Sequence, residues 1–290
     1  MAVNSKEIKR RIKSVRNIGQ ITKAMELVSA AKMRKAQSLA TSSRPYAILS
    51  SELLNNLATK IDITHHPLIH RHETEGKNKQ GKTLIIVFTS DRGLAGAFNS
   101  NILGKAVSLL KNEGFQNVDF ITVGRKGSDF VKKLDASLIA AFPAKDKSIS
   151  IFDAKPIAQI AIEEYLNFTY DHVFVVYTDF ISILVQKPNI LKLLPIETHP
   201  EKTKEEFVFE PHPEKVLNHL VYRAIEFAVY QALVETSASE HSARMVAMRN
   251  ANQASNDLID ELTLSANQAR QAAITRELAE ISAAKLAIEG

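Results

Sequence analysis

Residues Glu214–Glu289 read EKVLNHLVYRAIEFAVYQALVETSASEHSARMVAMRNANQASNDLIDELTLSANQARQAAITRELAEISAAKLAIE, with neither proline nor glycine. As one helix this stretch would be roughly 110 Å long at 1.5 Å per residue. No small globular domain buries such a helix, so it requires a second helix beside it. The segment from Ser5 to Arg44 is the candidate: it has a single glycine, Gly19, and no proline. Its apolar residues recur at helical spacing as Ile8, Ile12 and Val15, then Ile18, Ile21, Met25 and Val28. The irregular step between the two sets predicts a coiled coil with a stutter. Ser5 is the candidate cap. Ser42-Ser43-Arg44-Pro45 predicts a bend, with the helix resuming through Leu57.

The two strands of this antiparallel coiled coil would be unequal. An N-terminal helix ending near Pro45 supplies only about 60 Å, so the C-terminal helix should run on alone. Leu264–Ile288 is rich in Ala and Ser, and its few bulky groups include Leu278, Ile281, Leu286 and Ile288. A slim rod of that kind suits a narrow apolar sleeve; the same composition also suits a helix in an ordinary bundle.

Between the helices the pattern changes. Thr83–Thr89, Val118–Val123, Val173–Tyr177 and Phe180–Val185 read as strands, with helical stretches at Asn101–Lys111 and Ala154–Asn167. Strands alternating with helices predict an α/β domain with a largely parallel sheet.

The 290 residues carry 37 Lys and Arg against 32 Asp and Glu, a net charge of +5. Lys6, Lys9, Arg10, Arg11, Lys13, Arg16, Lys23, Lys32, Arg34 and Lys35 are opposed in their segment only by Glu7 and Glu26. Such a stripe seeks nucleic acid, anionic lipid or an acidic protein surface. Nucleic acid is disfavoured because there is no Trp, and Tyr and Phe avoid the basic segment. With no Cys, disulfides, zinc–thiolate sites and thiol catalysis are excluded. No apolar run approaches the roughly 20 residues that span a bilayer, and no secretory signal opens the chain.

Three chemical patterns invite a functional reading. Gly76-Lys77-Asn78-Lys79-Gln80-Gly81-Lys82-Thr83 matches the phosphate-loop letters, the basis of a competing reading as a nucleotide hydrolase. The motif works only after a strand and before a helix, whereas this one precedes a strand. His65, His66, His70 and His72 lie near Glu73, but their spacing is not that of a helical metal pair and Pro67 interrupts them. A solvated loop is the favoured reading. Ser90-Asp91-Arg92-Gly93-Leu94-Ala95-Gly96-Ala97-Phe98-Asn99 follows the first strand, where an anion loop would sit. It lacks the G-x-G-x-x-G spacing and reads as a structural turn with Asp91 as a candidate helix cap. No catalytic residues, metal ligands or cofactor site are assigned.

Three stretches in register carry a resemblance. Ile21-Thr22-Lys23-Ala24-Met25-Glu26 with Lys32-Met33-Arg34-Lys35 is the first, and Ser90-Asp91-Arg92-Gly93-Leu94 the second. The third is Ala243-Arg244-Met245-Val246-Ala247-Met248, followed by Ala269-Arg270-Gln271-Ala272-Ala273-Ile274-Thr275-Arg276-Glu277-Leu278-Ala279-Glu280-Ile281. Together they resemble the gamma subunits of bacterial F-type ATP synthases, nearly end to end. Where that family usually has Gly-Ala, Ala284-Lys285 stands here; Ala95-Gly96-Ala97 replaces its usual Cys-Gly-Gly. The first motif begins so early that no transit peptide is expected before it.

The resemblance implies a central rotor shaft, itself no catalyst, that couples ion-driven rotation of the c-ring to ATP synthesis or hydrolysis in the alpha–beta hexamer. Its implied partners are the alpha, beta and epsilon subunits and the c-ring, with no nucleic acid and no small-molecule substrate of its own. Its implied place is the cytoplasmic face of the bacterial inner membrane, as a peripheral protein. It further implies beta-subunit contacts at Met25, Arg244, Arg270, Gln271 and Thr275, and c-ring contacts at Phe209 and Glu210. Gln271 and Thr275 are four apart and share a helix face. The expected fold is α/β: a long antiparallel two-helix coiled coil from the N- and C-termini plus a central Rossmann-like α/β domain. The expected boundaries are 1–60 for the first helix, 61–81 for a polar linker, 82–200 for the α/β domain, 201–213 for a connector and 214–290 for the last helix.

Overall fold

The computed structural model describes residues 5–60, 66–69, 82–113, 117–145, 149–197, 210 and 212–289. Ten elements follow in order: α1 (Ser5–Lys60), β1 (Thr83–Phe88), α2 (Phe98–Glu113), β2 (Val118–Val123), α3 (Arg125–Lys133), β3 (Ser137–Phe142), α4 (Ile151–Leu166), β4 (His172–Phe180), β5 (Gln186–Leu194) and α5 (Pro213–Glu289). They form two compact units, residues 1–28 with 245–290, and residues 29–244.

The seam of α1 differs from its apolar pattern. Buried or half-buried side chains run 8, 12, 15, 19, 22, 26, 29, 33, 36, 40, 43, 47, 50, 54, 57, alternating steps of four and three without a break. The stutter is therefore absent. What changes after Val15 is residue type: Gly19, Thr22, Glu26 and Ser29 take the seam, while Ile18, Ile21, Leu27 and Val28 are exposed. A heptad is defined by geometry, and small or paired polar residues hold it when the helices approach closely. Nor does α1 end at Pro45, which lies inside the helix. Ala40 and Ser43 before it, and Ser50 and Leu54 after it, are all buried, and this packing outweighs the one lost backbone hydrogen bond.

In the smaller unit the two helices run antiparallel. Glu26 pairs with Arg249, and a Cβ on Gly19 would lie 3.5 Å from Cβ of Ser255. On α5 the matching seam is Met248, Asn252, Ser255, Ile259, Leu262, Ala266 and Ala269; from Arg270 to Lys285 every residue is exposed. The last helix thus outruns its partner.

In the larger unit α1 and α5 also pair antiparallel. Ser43 Oγ donates to Gln231 Oε1 at 2.6 Å, and the rings of Tyr46 and Phe227 are 4.2 Å apart. The sheet order is β3-β2-β1-β4-β5, parallel except for β5, which returns antiparallel to β4. Helices cover both faces. Leu84, Ile86, Phe88, Ile121, Val173 and Val175 pack with residues of α1, α4 and α5; Ile85, Val87, Phe120 and Val176 pack with α2 and Val131 of α3. Every residue of β1 is buried as a result, as the central strand of a doubly covered sheet must be. The sequence pattern missed β3, α3 and β5. It also took Phe180–Val185 for a strand, where Phe180 ends β4 and Ile181–Val185 form an exposed apolar turn before β5.

Candidate functional site: the sheet edge and the shaft surfaces

The strand order reverses at β1, so the crevice between the carboxyl ends of β1 and β4 is where a doubly wound sheet ordinarily takes a ligand. The loop after β1 is Ser90-Asp91-Arg92-Gly93-Leu94; the Ser90 and Asp91 side chains and the Arg92 and Gly93 carbonyls are hydrogen-bonded within the chain, while the Arg92 and Leu94 side chains are exposed. Ser90 Oγ donates to the Arg92 carbonyl at 2.6 Å, and the Ser90 amide donates to Asn99 Oδ1 at 3.1 Å. Asp91 Oδ1 accepts the amides of Arg125 at 2.9 Å and Ala144 at 3.2 Å. Arg125 opens α3, so its amide is among those a helix leaves without an internal partner. Asp91 therefore ties the β1 loop to the start of α3 and to the segment after β3, on the β2 side of β1. It is a cap, as the sequence suggested, but of α3 and not of the helix that follows it in sequence.

Arg244 of α5 holds the same loop through its carbonyls. Its Nε and Nη2 donate to the Gly93 carbonyl at 3.4 Å, and Nη2 also reaches the Arg92 carbonyl at 3.4 Å and Glu240 Oε1 at 2.7 Å. The residue is 7% exposed, so its charge is spent inside the unit and what remains outside is Arg92 and Leu94. Serine and threonine extend the suture along α5. Ser239 Oγ donates to the Thr178 carbonyl at 3.2 Å, and Ser242 Oγ to the Ile183 carbonyl at 2.7 Å.

The other chemical patterns settle differently. Lys82 ends the phosphate-loop letters, but its Nζ pairs with Asp119 Oδ2 at 2.6 Å and lies 5.3 Å over the Tyr170 ring. Tyr170 Oη donates to the same oxygen at 2.6 Å. Burial works to raise Asp119, and the bonds from Lys82 and Tyr170 outweigh it, holding the carboxyl below its ordinary value. Thr83 is the first residue of β1, so these letters lead into a strand and open no helix. Gly76–Gly81 lie outside the described residues, as do His65, His70, His72 and Glu73. His66 Nε2 is 3.0 Å from Asn218 Oδ1. Among the described residues no cluster of acidic residues and histidines is arranged to hold a metal, and no helix is long and apolar enough to cross a membrane.

The remaining site residues fall on two surfaces. In the smaller unit Met25 is half-buried beside the exposed Ile18, Ile21 and Val28, spaced three, four and three apart along one side of α1. Next to it Glu26 receives Lys23 Nζ at 3.0 Å and Arg249 Nε at 3.2 Å. The Lys23 bond is the main cause holding Glu26 below its ordinary value, against burial. Arg270, Gln271 and Thr275 are exposed on the unpaired end of α5, and the Thr275 hydroxyl donates back to the Gln271 carbonyl at 3.0 Å. In the larger unit Glu210 is exposed and borders an open cavity of about 420 Å³ with Tyr46, Lys215, His219 and Arg223. Phe209 lies outside the described residues. The exposed apolar stripe on α1 is what sequence reasoning missed. The unbroken heptad through Gly19, Thr22 and Glu26 was the signal, masked by the stronger apolar repeat one position away.

The smaller unit is thus an antiparallel helix pair in which α5 runs on past α1, and the larger is a doubly wound sheet covered by helices on both faces. The sequence pattern of the ATP synthase family matches residues 4–288. The ATP synthase gamma chain of Pelotomaculum thermopropionicum is 43% identical over 287 residues, 98% of this chain and 99% of that one. The central stalk and c-ring structure of the Tetrahymena thermophila mitochondrial ATP synthase contains a chain 26% identical, with a TM-score of 0.60 over 80% of this chain and 99% of that one. A chain of the Euglena gracilis mitochondrial ATP synthase has the same fold, with a TM-score of 0.68 at 19% identity over 98% of this chain and 94% of that one. The chain belongs to the ATP synthase gamma-chain family.

Proposed function

We propose that the chain is the non-catalytic central rotor shaft of an F-type ATP synthase, turning with the c-ring and driving the beta subunits of the alpha–beta hexamer in sequence. One observation carries the mechanical reading. From Arg270 to Lys285 every residue of the last helix is exposed, and it presents Ile274, Leu278 and Ile281 on one side. Four- and three-residue steps make a narrow apolar stripe suited to turning in an apolar sleeve. Met25, Arg270, Gln271 and Thr275 are the proposed beta-subunit contacts. Arg244 serves the same contact through the loop it holds, since Arg92 and Leu94 are the exposed groups there. Glu210, with Phe209, is the proposed contact to the c-ring, beside the epsilon subunit. The proposed setting is the cytoplasmic face of the bacterial inner membrane, where the chain is peripheral.

The basic side of α1 gives these contacts their character. Exposed cations facing an acidic partner are screened and individually weak, which lets a shaft pass three equivalent partners without lodging on one. A new buried charge would change that. Met25→Lys should create an attraction present at some rotor angles only, raising a rotational barrier on the order of 1–3 kcal/mol. The assembled enzyme carrying Met25→Lys or Gln271→Ala, reconstituted in vesicles, should keep ATP hydrolysis while proton pumping and ATP synthesis fall. Wild-type ratios in both variants would remove these residues from the coupling surface.

A further inference from the structure

The two edges of the sheet are built differently. The edge strand β5 carries Lys187, Pro188 and Lys192, residues that discourage another strand from pairing. The edge strand β3 reads Ser137-Leu138-Ile139-Ala140-Ala141-Phe142, with no charge and no proline. Its residues alternate exposed and half-buried, and Ile139 is 44% exposed. On its inner side the Phe142 carbonyl accepts the amide of Gly124 at 2.8 Å. Backbone groups alternate along a strand, so the amide and carbonyl of Ala141 point the other way, to the open edge. Among the described residues no strand lies there. The register slips between Phe120 and Ile121, opposite Leu138 and Ala140, while Ala140, Ala141 and Phe142 pair in regular order.

We propose that β3 is a docking edge, completed in the assembled enzyme by an extended segment of a different subunit that pairs with the backbone at Ala141 and carries acidic residues at its flanks. Backbone complementarity sets the strand form of the partner. Charge sets its chemistry. α3, which packs on β2 and β3, exposes Arg125, Lys126, Lys132 and Lys133 against one acid of its own, Asp129. A second copy of this chain paired edge to edge would bring two such sets of cations together and is disfavoured for that reason.

Hydrogen exchange of the outward-facing amides of residues 137–142 tests this, measured in the isolated chain and in the assembled ATP synthase that contains it. The expected result is exchange at least about tenfold slower in the complex. Protection of those outward amides already present in the isolated chain would mean that the chain covers its own edge, and equal exchange in both states would mean that nothing pairs there; either overturns the proposal. Ala141→Pro separates strand pairing from mere cover. Proline is tolerated where the amide faces outward on an edge, so the isolated variant keeps its thermal midpoint while the complex loses the protection at residues 137–140. Ile139→Lys, at an exposed side chain, is the second variant and should weaken protection in the same way. Wild-type protection of the complex in both variants overturns pairing through this edge.

Discussion

Gly124 shows how tightly single residues hold the sheet edge. It caps α3 with a φ of +96°, and a Cβ there would lie 2.2 Å from the Thr89 carbonyl oxygen, a backbone atom that cannot step aside. Gly124→Ala should cost about 2–4 kcal/mol, read as a lower midpoint in urea unfolding. Asp119 makes a prediction in pH. Its carboxyl is held below its ordinary value of 3.8, so the stability it contributes is complete above that value and is lost as pH falls through the folded value. The difference between the wild-type chain and Asp119→Asn should be roughly 1–3 kcal/mol at neutral pH and should shrink in acid. A difference that grows in acid would contradict this assignment. At this scale the sequence was legible where chemistry is local. Asp91 was visible as a cap because Asp is a capping residue; the helix it caps lies 34 positions on. Arg244 was visible only through resemblance, and its inward turn onto Gly93, 151 positions away, has no local signal.

Among the elements, α1 carries its own test. Pro45 is exposed inside a helix and removes one backbone hydrogen bond while crowding the preceding turn. Pro45→Ala should therefore stabilise the chain by about 1–3 kcal/mol, measured by denaturant unfolding at unchanged m-value. The long helices were legible from what they lack, glycine and proline over most of their length, and from apolar spacing. The central strands β1, β2 and β4 were legible as short β-branched runs. What failed was the equation of apolar with buried. Ile181–Val185 is a run of large aliphatics held outside the core, in a turn fixed by mutual bonds of Ser182 and Val185, so it imitated a strand. β3 is half alanine and serine, and α3 is short and mostly charged. Neither carries enough apolar pattern to stand out, and both depend on β2 for their place.

The whole molecule separates the parts that fold the chain from the part that projects. Residues 270–285 are exposed throughout, so they contribute little burial to stability. Removing residues 271–290 should leave the thermal midpoint of the isolated chain within about 2 °C of the parent, while the assembled enzyme loses coupling efficiency. A large drop in the midpoint would instead reveal a packing role for that end. In the larger unit the loop after β1, at the rim of the crevice between β1 and β4, is held by Asp91 and Arg244. On other doubly wound sheets that crevice is where nucleotides settle. Here the loop at its rim is tied down by a carboxylate and a guanidinium belonging to the chain itself. ATP should therefore leave the thermal midpoint of the isolated chain unchanged.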